Sequence, residues 1–410
     1  MKKFFALLLS LAMVLALVAC GQKDPTPDTP DTPDDPQTKV EYKVAMITDY
    51  GDITDQSFNQ TTYEACKAFA EDNSIEFSYF RPAGDNTADR VAMIEKAVDE
   101  GFNVIVMPGY AFGGAIVEAA PEFPDVKFIA LDVAAGDLLE TAVAKAGEAY
   151  DYTPENWDLN KYVDMSNVYC AVYQEELCGY MAGYAAVKLG YKNLGFLGGM
   201  SVPAVVRYGY GFVQGVDAAA ADLGLTDVKL NYIYGGQFFG DADITAVMDT
   251  WYQGGTEVVF ACGGGIYTSA VDAAKKVGAK VIGVDVDQAG VIAKYAGVDG
   301  MTVTSAMKGL YPATYDTLTD VIVNGNWDKY VGKIATLGLV SGTDPEANYV
   351  QIPMGDGTQW SDSFTQDDYK AMVKDMFDGK ITVSNNTSSD VSAADFATVI
   401  TVDDQGSIKG

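Results

Sequence analysis

The chain has 410 residues, is 48% hydrophobic and carries a formal net charge of −30. This acidity argues against nucleic acid as a partner, since phosphates need a basic surface, and against electrostatic binding to an anionic membrane. The chain contains no histidine, which excludes a Ser-His-Asp triad, a Cys-His pair and histidine-based zinc sites. We therefore expect neither a metal ion nor a cofactor.

The first twenty residues indicate export. Met1-Lys2-Lys3 gives a positive start, and residues 4–18 are apolar except for Ser10. This run is short for a membrane span and is typical of a secretory signal peptide. Residues 17–20, which end in Cys20, resemble a lipobox, where bacteria attach diacylglycerol to a cysteine. We expect a lipid anchor on the outer face of a membrane; the alternative is an ordinary signal peptide that contains a cysteine.

Residues 21–39 are predicted to be a disordered tether between the membrane and the folded part of the chain. They consist mainly of Pro, Thr and Asp and contain no apolar residue that could join a core. Proline keeps such a segment extended, and the aspartates keep it solvated.

Residues 42–131 alternate between short apolar runs and amphipathic stretches, which is the pattern of parallel βαβ units. Strands are predicted at 42–48, 75–80, 103–107 and 127–131, and helices at 56–72, 87–100 and 113–122. Residues 136–166 are more irregular and are interpreted as an insertion or surface excursion.

A second series of the same kind follows. Strands are predicted at 167–173, 193–197, 228–234, 257–262 and 280–284, and helices at 175–189, 204–223, 243–253 and 266–277. Two doubly wound α/β lobes are the simplest architecture for two such series; one large α/β domain is the alternative.

Glycines and aspartates follow the predicted strands in both series. They are Asp49-Tyr50-Gly51, Pro108-Gly109-Tyr110 and Asp132 in the first, and Gly198-Gly199-Met200, Gly263-Gly264-Gly265 and Asp285 in the second. Ligands of open α/β sheets bind at the carboxyl ends of the strands. Glycine lets backbone approach a ligand, and carboxylates accept hydrogen bonds from hydroxyls and amines. The pattern predicts a cleft for a polar, neutral ligand.

Two further features are interpreted as structural. Residues 209–215 nearly read GxGxxG, but the third glycine comes one residue late and the run lies inside a predicted helix, so helix packing is favoured over phosphate binding. Beyond Cys20, the four cysteines show no CxxC spacing. We expect buried free thiols, with one disulfide bridge left open; the four are Cys66, Cys170, Cys178 and Cys262.

Ordered, spaced motifs between about residues 42 and 340 carry a more specific signal. They are Asp49 with Asp55-Gln56-Ser57-Phe58-Asn59-Gln60, the helix start at 173–186, Gly198-Gly199-Met200 through Pro203, Arg207-Tyr208, Gly211-Phe212 and Gly215, the run 281–288, and Thr304-Ser305-Ala306-Met307-Lys308. Together they resemble the basic membrane protein (BMP) family of ABC transporter substrate-binding lipoproteins, which are similar to the purine nucleoside receptor lipoprotein of spirochaetes.

The resemblance implies a type I periplasmic-binding-protein fold, which has two Rossmann-like lobes, a ligand cleft between them and three chain crossings. It implies a first lobe at 40–170 plus 305–335 and a second lobe at 171–304 plus 336–384. Residues 385–410 are interpreted as a polar tail.

The resemblance also implies a nucleoside site. Phe58 and Tyr208 would sandwich the base, since a purine needs flat apolar faces on both sides. The family usually has Phe at the second place, so Tyr208 adds a hydroxyl. Asp49, Asn59 and Asp132 would bind polar edges of the base.

The other implied contacts concern the ribose and the backbone. Asp285 and Lys308 would hold the ribose hydroxyls, and Gly264 would offer backbone next to the ligand. Asp55 is expected to be a helix N-cap rather than a ligand contact. Core packing for Phe58, and contact with a loop or surface acid for Lys308, are the structural alternatives.

The implied function is an extracytoplasmic, lipid-anchored solute-binding protein of an ABC importer, which captures a nucleoside and delivers it to permease and ATPase subunits. The alternatives are a receptor that feeds a signalling partner, an adhesin, and a binding protein for another flat heterocycle such as a flavin. An exported nucleoside hydrolase based on Asp285 and Asp287 is disfavoured, because alternate residues at a strand end point opposite ways. We therefore expect no catalytic residues.

Overall fold

Two β-sheets, parallel except for the edge strand that residues 350–351 add to the second, organise residues 41–409, the part of the chain that the computed structural model describes. The predicted signal peptide, the lipobox Cys20 and the tether at 21–39 lie outside the described residues.

Strands alternate with crossover helices in the first series, and α3 and α4 pack against each other on one face of its sheet. Its elements are β1 (Lys43–Ile47), α1 (Phe58–Asn73), β2 (Glu76–Phe80), α2 (Thr87–Asp99), β3 (Val104–Pro108), α3 (Gly113–Ala119), β4 (Lys127–Leu131), α4 (Ala135–Lys145), α5 (Leu159–Tyr162) and β5 (Val168–Tyr173). Strand β3 is buried along its whole length, because helices cover both faces of the sheet.

The second series repeats this arrangement. Its elements are α6 (Glu175–Lys188), β6 (Asn193–Gly198), α7 (Pro203–Asp222), β7 (Lys229–Tyr234), α8 (Ala242–Gln253), β8 (Val258–Cys262), α9 (Tyr267–Val277), β9 (Lys280–Asp285), α10 (Ala289–Ala296) and β10 (Thr302–Lys308).

The rest of the described chain returns to both sheets. The helix α11 (Leu310–Leu318) packs in the first core, and β11 (Lys333–Leu337) pairs with β5. The strand β12 (Val350–Gln351) then pairs with β10. The helix α12 (Gln366–Phe377) packs in the second core, and β13 (Thr401–Ser407) pairs with β7.

Both sheets have the same strand order. The first runs β11-β5-β4-β3-β1-β2, and the second runs β12-β10-β9-β8-β6-β7-β13. Without the added edge strands, each is a doubly wound sheet whose strand order reverses next to its first strand, where such sheets bind ligands. The predicted fold of two doubly wound lobes is confirmed. We call the parts built on these sheets the first lobe and the second lobe.

The chain crosses between the sheets after β5, after β10 and between β11 and β12. All three crossings come later than predicted, because β5 runs to Tyr173 and β11 to Leu337 in the first sheet, and β10 runs to Lys308 in the second. The predicted boundary at 304/305 therefore falls inside a strand of the second lobe. The shift matters because it assigns Lys308 to the second lobe.

Two segments are more regular than the sequence indicated. Residues 135–145 form α4, which buries Leu138 and Leu139 against the first lobe; only the remainder of 136–166 resembles a surface excursion. The segment interpreted as a polar tail supplies β13 at the edge of the second sheet. The β7 edge offers unpaired backbone groups to this segment, and pairing satisfies them.

Helices α6 and α7 pack almost backbone to backbone. A Cβ added at Gly211 would lie 2.1 Å from the Glu176 carbonyl oxygen, and one at Gly215 would lie 2.1 Å from that of Tyr180. This confirms the helix-packing interpretation of residues 209–215.

The four described cysteines are free and buried, as expected. None of the helices in residues 41–409 is long and apolar enough to cross a membrane.

Candidate ligand-binding site

A cavity of about 430 Å³ lies between the two lobes, where the carboxyl ends of both sheets face each other. Its walls come from the carboxyl ends of β1, β2, β3 and β4 and the loops after them in the first lobe, and from those of β6, β7, β8, β9 and β10 in the second. All eight predicted ligand-binding residues line it: Asp49, Phe58, Asn59, Asp132, Tyr208, Gly264, Asp285 and Lys308. The structure thus brings together side chains that lie up to about 260 positions apart in the chain.

Asp132 and Asp285 occupy equivalent places in the two lobes. Asp132 follows β4 with a φ of 61°, and Asp285 ends β9 with a φ of 64°. A residue other than glycine is strained in this left-handed region by about 1–3 kcal/mol, and such strain clusters at ligand sites. Both carboxylates lie at the ends of central strands, so each lobe holds one of them rigidly against the cavity.

Lys308 links the two lobes through carboxylates. Its Nζ lies 2.5 Å from Asp132 Oδ2, 3.4 Å from Glu175 Oε1 and 3.8 Å from Asp285 Oδ1. Burial by itself lowers the pKa of Lys308, but these three carboxylates outweigh it and raise the pKa above its ordinary value. The buried ammonium stays charged, and the structural alternative of contact with a surface acid is wrong.

Glu175 and Arg207 complete this network and were not predicted. Arg207 Nε donates to Glu175 Oε2 over 2.7 Å, and the Glu175 side chain is fully buried. The sequence does contain a signal for Glu175. The helix α6 is otherwise largely apolar but begins with two acids, and a carboxylate is buried only with a partner. Three carboxylates and two cations therefore meet at the cavity wall, and all of them except Glu175 line the cavity.

Two buried acceptor atoms in the cavity wall have no hydrogen-bond partner among the described residues. They are Asp132 Oδ1 and Asn59 Oδ1. The Asn59 amide is held in place because its Nδ2 donates to Asp49 Oδ1 over 3.3 Å and to Asp55 Oδ2 over 3.1 Å. Burial raises the pKa of Asp132 to about 6, against the opposing effect of Lys308. A ligand with N–H or O–H donors would satisfy both acceptors.

Asp285 accepts hydrogen bonds from both lobes. The Ser57 hydroxyl of the first lobe donates to Asp285 Oδ2 over 2.5 Å, and the Tyr208 hydroxyl of the second lobe donates to Oδ1 over 3.3 Å. The hydroxyl by which Tyr208 departs from the family pattern thus binds the carboxylate that was predicted to hold a ribose. Ser57 was not predicted as a site residue.

The two predicted aromatic residues differ in exposure. Phe58 is half-buried and packs against the cores of both lobes, with its ring centroid 4.7 Å from Lys308 Nζ. Tyr208 is 2% exposed, and its centroid lies 5.6 Å from the same atom. Both rings lie within cation–π range of the ammonium. Phe58 therefore packs against the cores, as the structural alternative stated, and it also lines the cavity.

The loop after β1 is ordered by its own carboxylates. Asp49 Oδ1 accepts from the backbone nitrogens of Tyr50 and Gly51 at 2.6 and 2.7 Å. Burial nevertheless raises the pKa of Asp49. Asp55 accepts from the backbone nitrogens of Ser57, Asn59 and Gln60 and so caps the first turn of α1 with its side chain, but the N-cap residue is Ser57 rather than the predicted Asp55, and Asp55 also lines the cavity.

Asp285 and Asp287 do not converge. Asp287 is exposed and accepts from the Ala289 backbone nitrogen over 3.1 Å, while Asp285 lines the cavity. Within residues 41–409, no cluster of three acids or cysteines is arranged to hold a metal ion.

Phe238 and Phe239 also line the cavity and were not predicted as site residues. They lie between glycines in the loop after β7, and this pattern in the sequence could have identified them.

Comparison with known proteins gives a family match over most of the chain. Residues 42–345 match the Bmp family, described as ABC transporter substrate-binding protein PnrA-like. The ABC transporter nucleoside-binding protein BmpA of Lactococcus lactis is 25% identical, over 92% of this chain and 96% of its own. Basic membrane protein B of Borreliella burgdorferi is 26% identical, over 76% and 83% of the two chains. A lipoprotein of Pyrococcus abyssi is 26% identical, over 74% and 69%.

Solved structures with the same fold include ABC transporter solute-binding proteins. The protein from Aeropyrum pernix has a TM-score of 0.59 and 20% identity, over 84% of this chain and 88% of its own. The protein from Conexibacter woesei has a TM-score of 0.58 and 20% identity, over 84% and 99%. At this identity the likeness shows a shared periplasmic-binding-protein fold.

Proposed function

Because the chain belongs to the Bmp family of ABC transporter substrate-binding proteins, we propose that it captures a nucleoside, with a purine base favoured, in the cavity between its lobes. The observation that carries this proposal is the chemistry of the cavity wall. Aromatic faces, a buried carboxylate–ammonium pair and two acceptors that have no partner within residues 41–409 converge there. The relative from Lactococcus lactis is named as a nucleoside-binding protein, which supports the same ligand class.

Each part of a nucleoside has a counterpart in the wall. Phe58 and Tyr208 would contact the base with their rings. The unpaired oxygens of Asn59 and Asp132 would accept from base N–H groups, and Asp49 orients the Asn59 amide. Asp285 and Lys308 together accept from and donate to the ribose hydroxyls. Gly264 would offer its backbone at the opposite wall.

The charge of the wall favours a nucleoside over a nucleotide. Six aspartates line the cavity, and the cations there are Lys308, Arg207 and Arg81. Lys308 and Arg207 are already paired with carboxylates. A phosphate group would therefore meet more negative than positive charge. The aspartates are Asp49, Asp52, Asp55, Asp132, Asp137 and Asp285.

We further propose that Cys20 carries the lipid anchor and holds the protein on the outer face of the cell membrane. Relatives from three Pyrococcus species are named as lipoproteins, which supports this placement. Permease and ATPase subunits would be the partners that receive the ligand.

Thermal unfolding of residues 39–410 with a panel of candidate ligands tests the ligand class. The panel holds purine and pyrimidine nucleosides, free bases, riboflavin, sugars and amino acids. A ligand at about 100 times its Kd should stabilise the fold by roughly 2.7 kcal/mol. We expect this shift with purine nucleosides, and calorimetry would then give the Kd.

Asp285→Ala and Asp287→Ala form a matched pair for locating the site. Asp285 lines the cavity, whereas Asp287 lies two positions further on and is exposed. The shift should vanish in the first variant and persist in the second, with Asp285→Asn as a milder change if Asp285→Ala misfolds. No shift with any nucleoside, after bound ligand has been removed by unfolding and refolding, would refute the nucleoside assignment.

A further inference from the structure

The last described residues run from the outer edge of the second lobe toward the cavity. We call residues 398–409 the clamp segment; it lies beyond the stretch that matches the family. Asp217 of α7 accepts from the backbone nitrogens of Thr398 and Val399, both at 2.8 Å. Strand β13 then pairs with β7, and Ile408 N donates to Tyr234 O over 2.8 Å. The segment is therefore hydrogen-bonded to the second lobe at both ends.

The clamp segment ends on the loop that follows β7. Lys409 Nζ donates to Gln237 Oε1 over 2.9 Å and to Asp241 Oδ2. The backbone of Lys409 also lies against Gly236, where an added Cβ would be 2.7 Å from the Lys409 carbonyl oxygen. Gln237 and Asp241 stand on either side of Phe238 and Phe239, so Lys409 spans the loop from its first turn to the start of α8. We call residues 235–241 the Phe238 loop.

The Phe238 loop is a wall of the cavity. Phe238 and Phe239 both line it, and Phe239 is 54% exposed. The Phe238 ring lies against two other loops of the site, since a Cβ on Gly199 or on Gly263 would come within 2.4 or 2.8 Å of it. Gly265 N also donates to Phe238 O over 2.9 Å. The position of this loop therefore sets the shape of the cavity next to Gly264.

The Phe238 loop is rich in glycine and is held at its start by Gly235 N and Gly236 N, which donate to Gly198 O over 2.7 Å and to Gly199 O over 2.9 Å. It contains Gly235, Gly236 and Gly240, and glycine loses more conformational freedom on ordering than any other residue. Asp241 caps α8 by accepting from Ile244 N over 3.0 Å, and it also accepts from Gln237 Nε2 over 3.0 Å, which links the two ends of the loop. The two hydrogen bonds of Lys409 reinforce this link between Gln237 and Asp241, and both side chains of the Lys409–Asp241 pair are partly buried.

We propose that Lys409 is a positioning residue of the binding site. The clamp segment holds the Phe238 loop in its ligand-binding conformation before the ligand arrives. The entropic cost of ordering three glycines therefore does not weaken binding. The identity of the ligand in this statement rests on the proposed function. By linkage, a bound ligand should in turn protect the clamp segment from local opening.

Hydrogen exchange and ligand titration of three variants test this role. Lys409→Ala removes both hydrogen bonds, and Lys409→Arg restores a donor of the same charge. Lys380→Ala is the matched control, because Lys380 is paired with Asp375 over 2.6 Å on α12, outside the cavity wall. Backbone amide exchange is measured first in the ligand-free protein, and the Kd of the nucleoside found in the ligand panel is measured second.

In Lys409→Ala we expect faster exchange in residues 235–241 and a Kd raised about three- to tenfold. Lys409→Arg should recover most of both changes, and Lys380→Ala should match the wild type. In a background of Phe238→Ala with Phe239→Ala, the further change Lys409→Ala should leave the Kd unaltered, since the wall it positions is absent.

Unchanged exchange in residues 235–241 of Lys409→Ala would overturn the proposal, whatever the ligand. Faster exchange with an unchanged Kd would overturn it too, because the loop would then be positioned without consequence for binding. If the wild type binds none of the nucleosides, the proposed function fails, and the exchange measurement still decides whether Lys409 holds the loop.

Discussion

At the scale of single residues, Glu176 stands out because it is a buried acid outside the cavity wall. It is the second residue of α6 and is 2% exposed. Its Oε2 has no hydrogen-bond partner among the described residues. Burial raises the pKa of Glu176 from 4.5 to about 7, and the neighbouring Glu175 carboxylate adds to this rise. The folded protein therefore binds a proton here that the unfolded chain releases at much lower pH.

Glu176→Gln should change how stability depends on pH. Since the pKa is raised in the folded state, the contribution of the protonated Glu176 is fully present below pH 4.5 and is lost as the pH rises through about 7. Relative to the wild type, Glu176→Gln should gain roughly 2 kcal/mol of unfolding free energy between about pH 5 and pH 7. Urea denaturation at several pH values measures this, with the exposed Glu122→Gln as control. Parallel pH profiles for wild type and Glu176→Gln would contradict the prediction.

Some of the cavity wall could be predicted from the sequence, and some could not. Asp49, Asp132 and Asp285 follow predicted strands, and parallel topology brings strand ends to one edge without any further knowledge. Phe58 and Lys308 needed the family resemblance. Glu175, Arg207 and Ser57 were missed because their importance comes from partners that are distant in the chain. Ser57, for example, meets Asp285 across 228 positions, and local patterns carry no record of such a pairing.

At the scale of elements, the contact of α6 with α7 matters because both helices carry site residues. Glu175 begins α6, while Arg207 and Tyr208 lie in the first two turns of α7. Gly211 lets α7 approach the carbonyl of Glu176 directly. A small separation of the two helices would therefore pull the Arg207–Glu175 pair apart and disturb Lys308.

Gly211→Ala should destabilise the fold, whereas Gly290→Ala should not. The added methyl group at Gly211 would lie 2.1 Å from the Glu176 carbonyl oxygen, while a Cβ at Gly290 in α10 would have no neighbour within 4 Å among residues 41–409. Overpacking of this kind costs about 1–3 kcal/mol, and alanine for an unhindered helical glycine contributes about 0.5–1 kcal/mol of stability. Chemical denaturation of both variants measures the difference. Equal stabilities would mean that α6 and α7 are not in direct backbone contact at Gly211.

The elements that the sequence indicated wrongly depend on neighbours for their structure. Helix α4 contains Gly136, begins directly after a strand loop and is stabilised by packing against α3. Strand β13 contains Asp403, Asp404 and Gly406, which have low strand propensity. Its conformation comes from hydrogen bonds to the β7 edge. A periodic pattern of apolar residues marks an element that buries one of its faces, and β13 buries almost none of its side chains.

At the scale of the whole molecule, the two lobes touch each other around the cavity. Ser57 donates to Asp285, Lys308 pairs with Asp132, and the Gln288 side chain donates to the Gln56 carbonyl over 3.2 Å. Each contact joins the first lobe to the second. The described arrangement is therefore closed, and opening of the lobes would break these contacts.

Closure of this kind has two contributions. Contacts between the lobes favour the closed state before a ligand is present, and a ligand that bridges Asn59 or Asp132 in the first lobe and Asp285 in the second adds to it. Only interactions that differ between the open and closed states can shift the balance. Weakening a direct contact should therefore weaken ligand binding, even though the altered side chain belongs to the lobe interface.

Ser57→Ala tests this coupling. The variant loses a hydrogen bond to a buried carboxylate, a contact that contributes about 1.5–3 kcal/mol. We expect the ligand-free variant to have a larger radius of gyration in X-ray scattering than the wild type, and a Kd raised roughly 10- to 100-fold. Ser57→Thr, which keeps the hydroxyl, should behave like the wild type. Thr61→Ala is a second control, because the Thr61 hydroxyl donates to the Ser57 carbonyl at the start of its own helix.

Saturating ligand should return Ser57→Ala to the wild-type radius, since the bridging ligand restores closure. If the radius is the same in all variants with and without ligand, the lobes do not move, and the ligand must enter by motion of smaller parts such as the Phe238 loop.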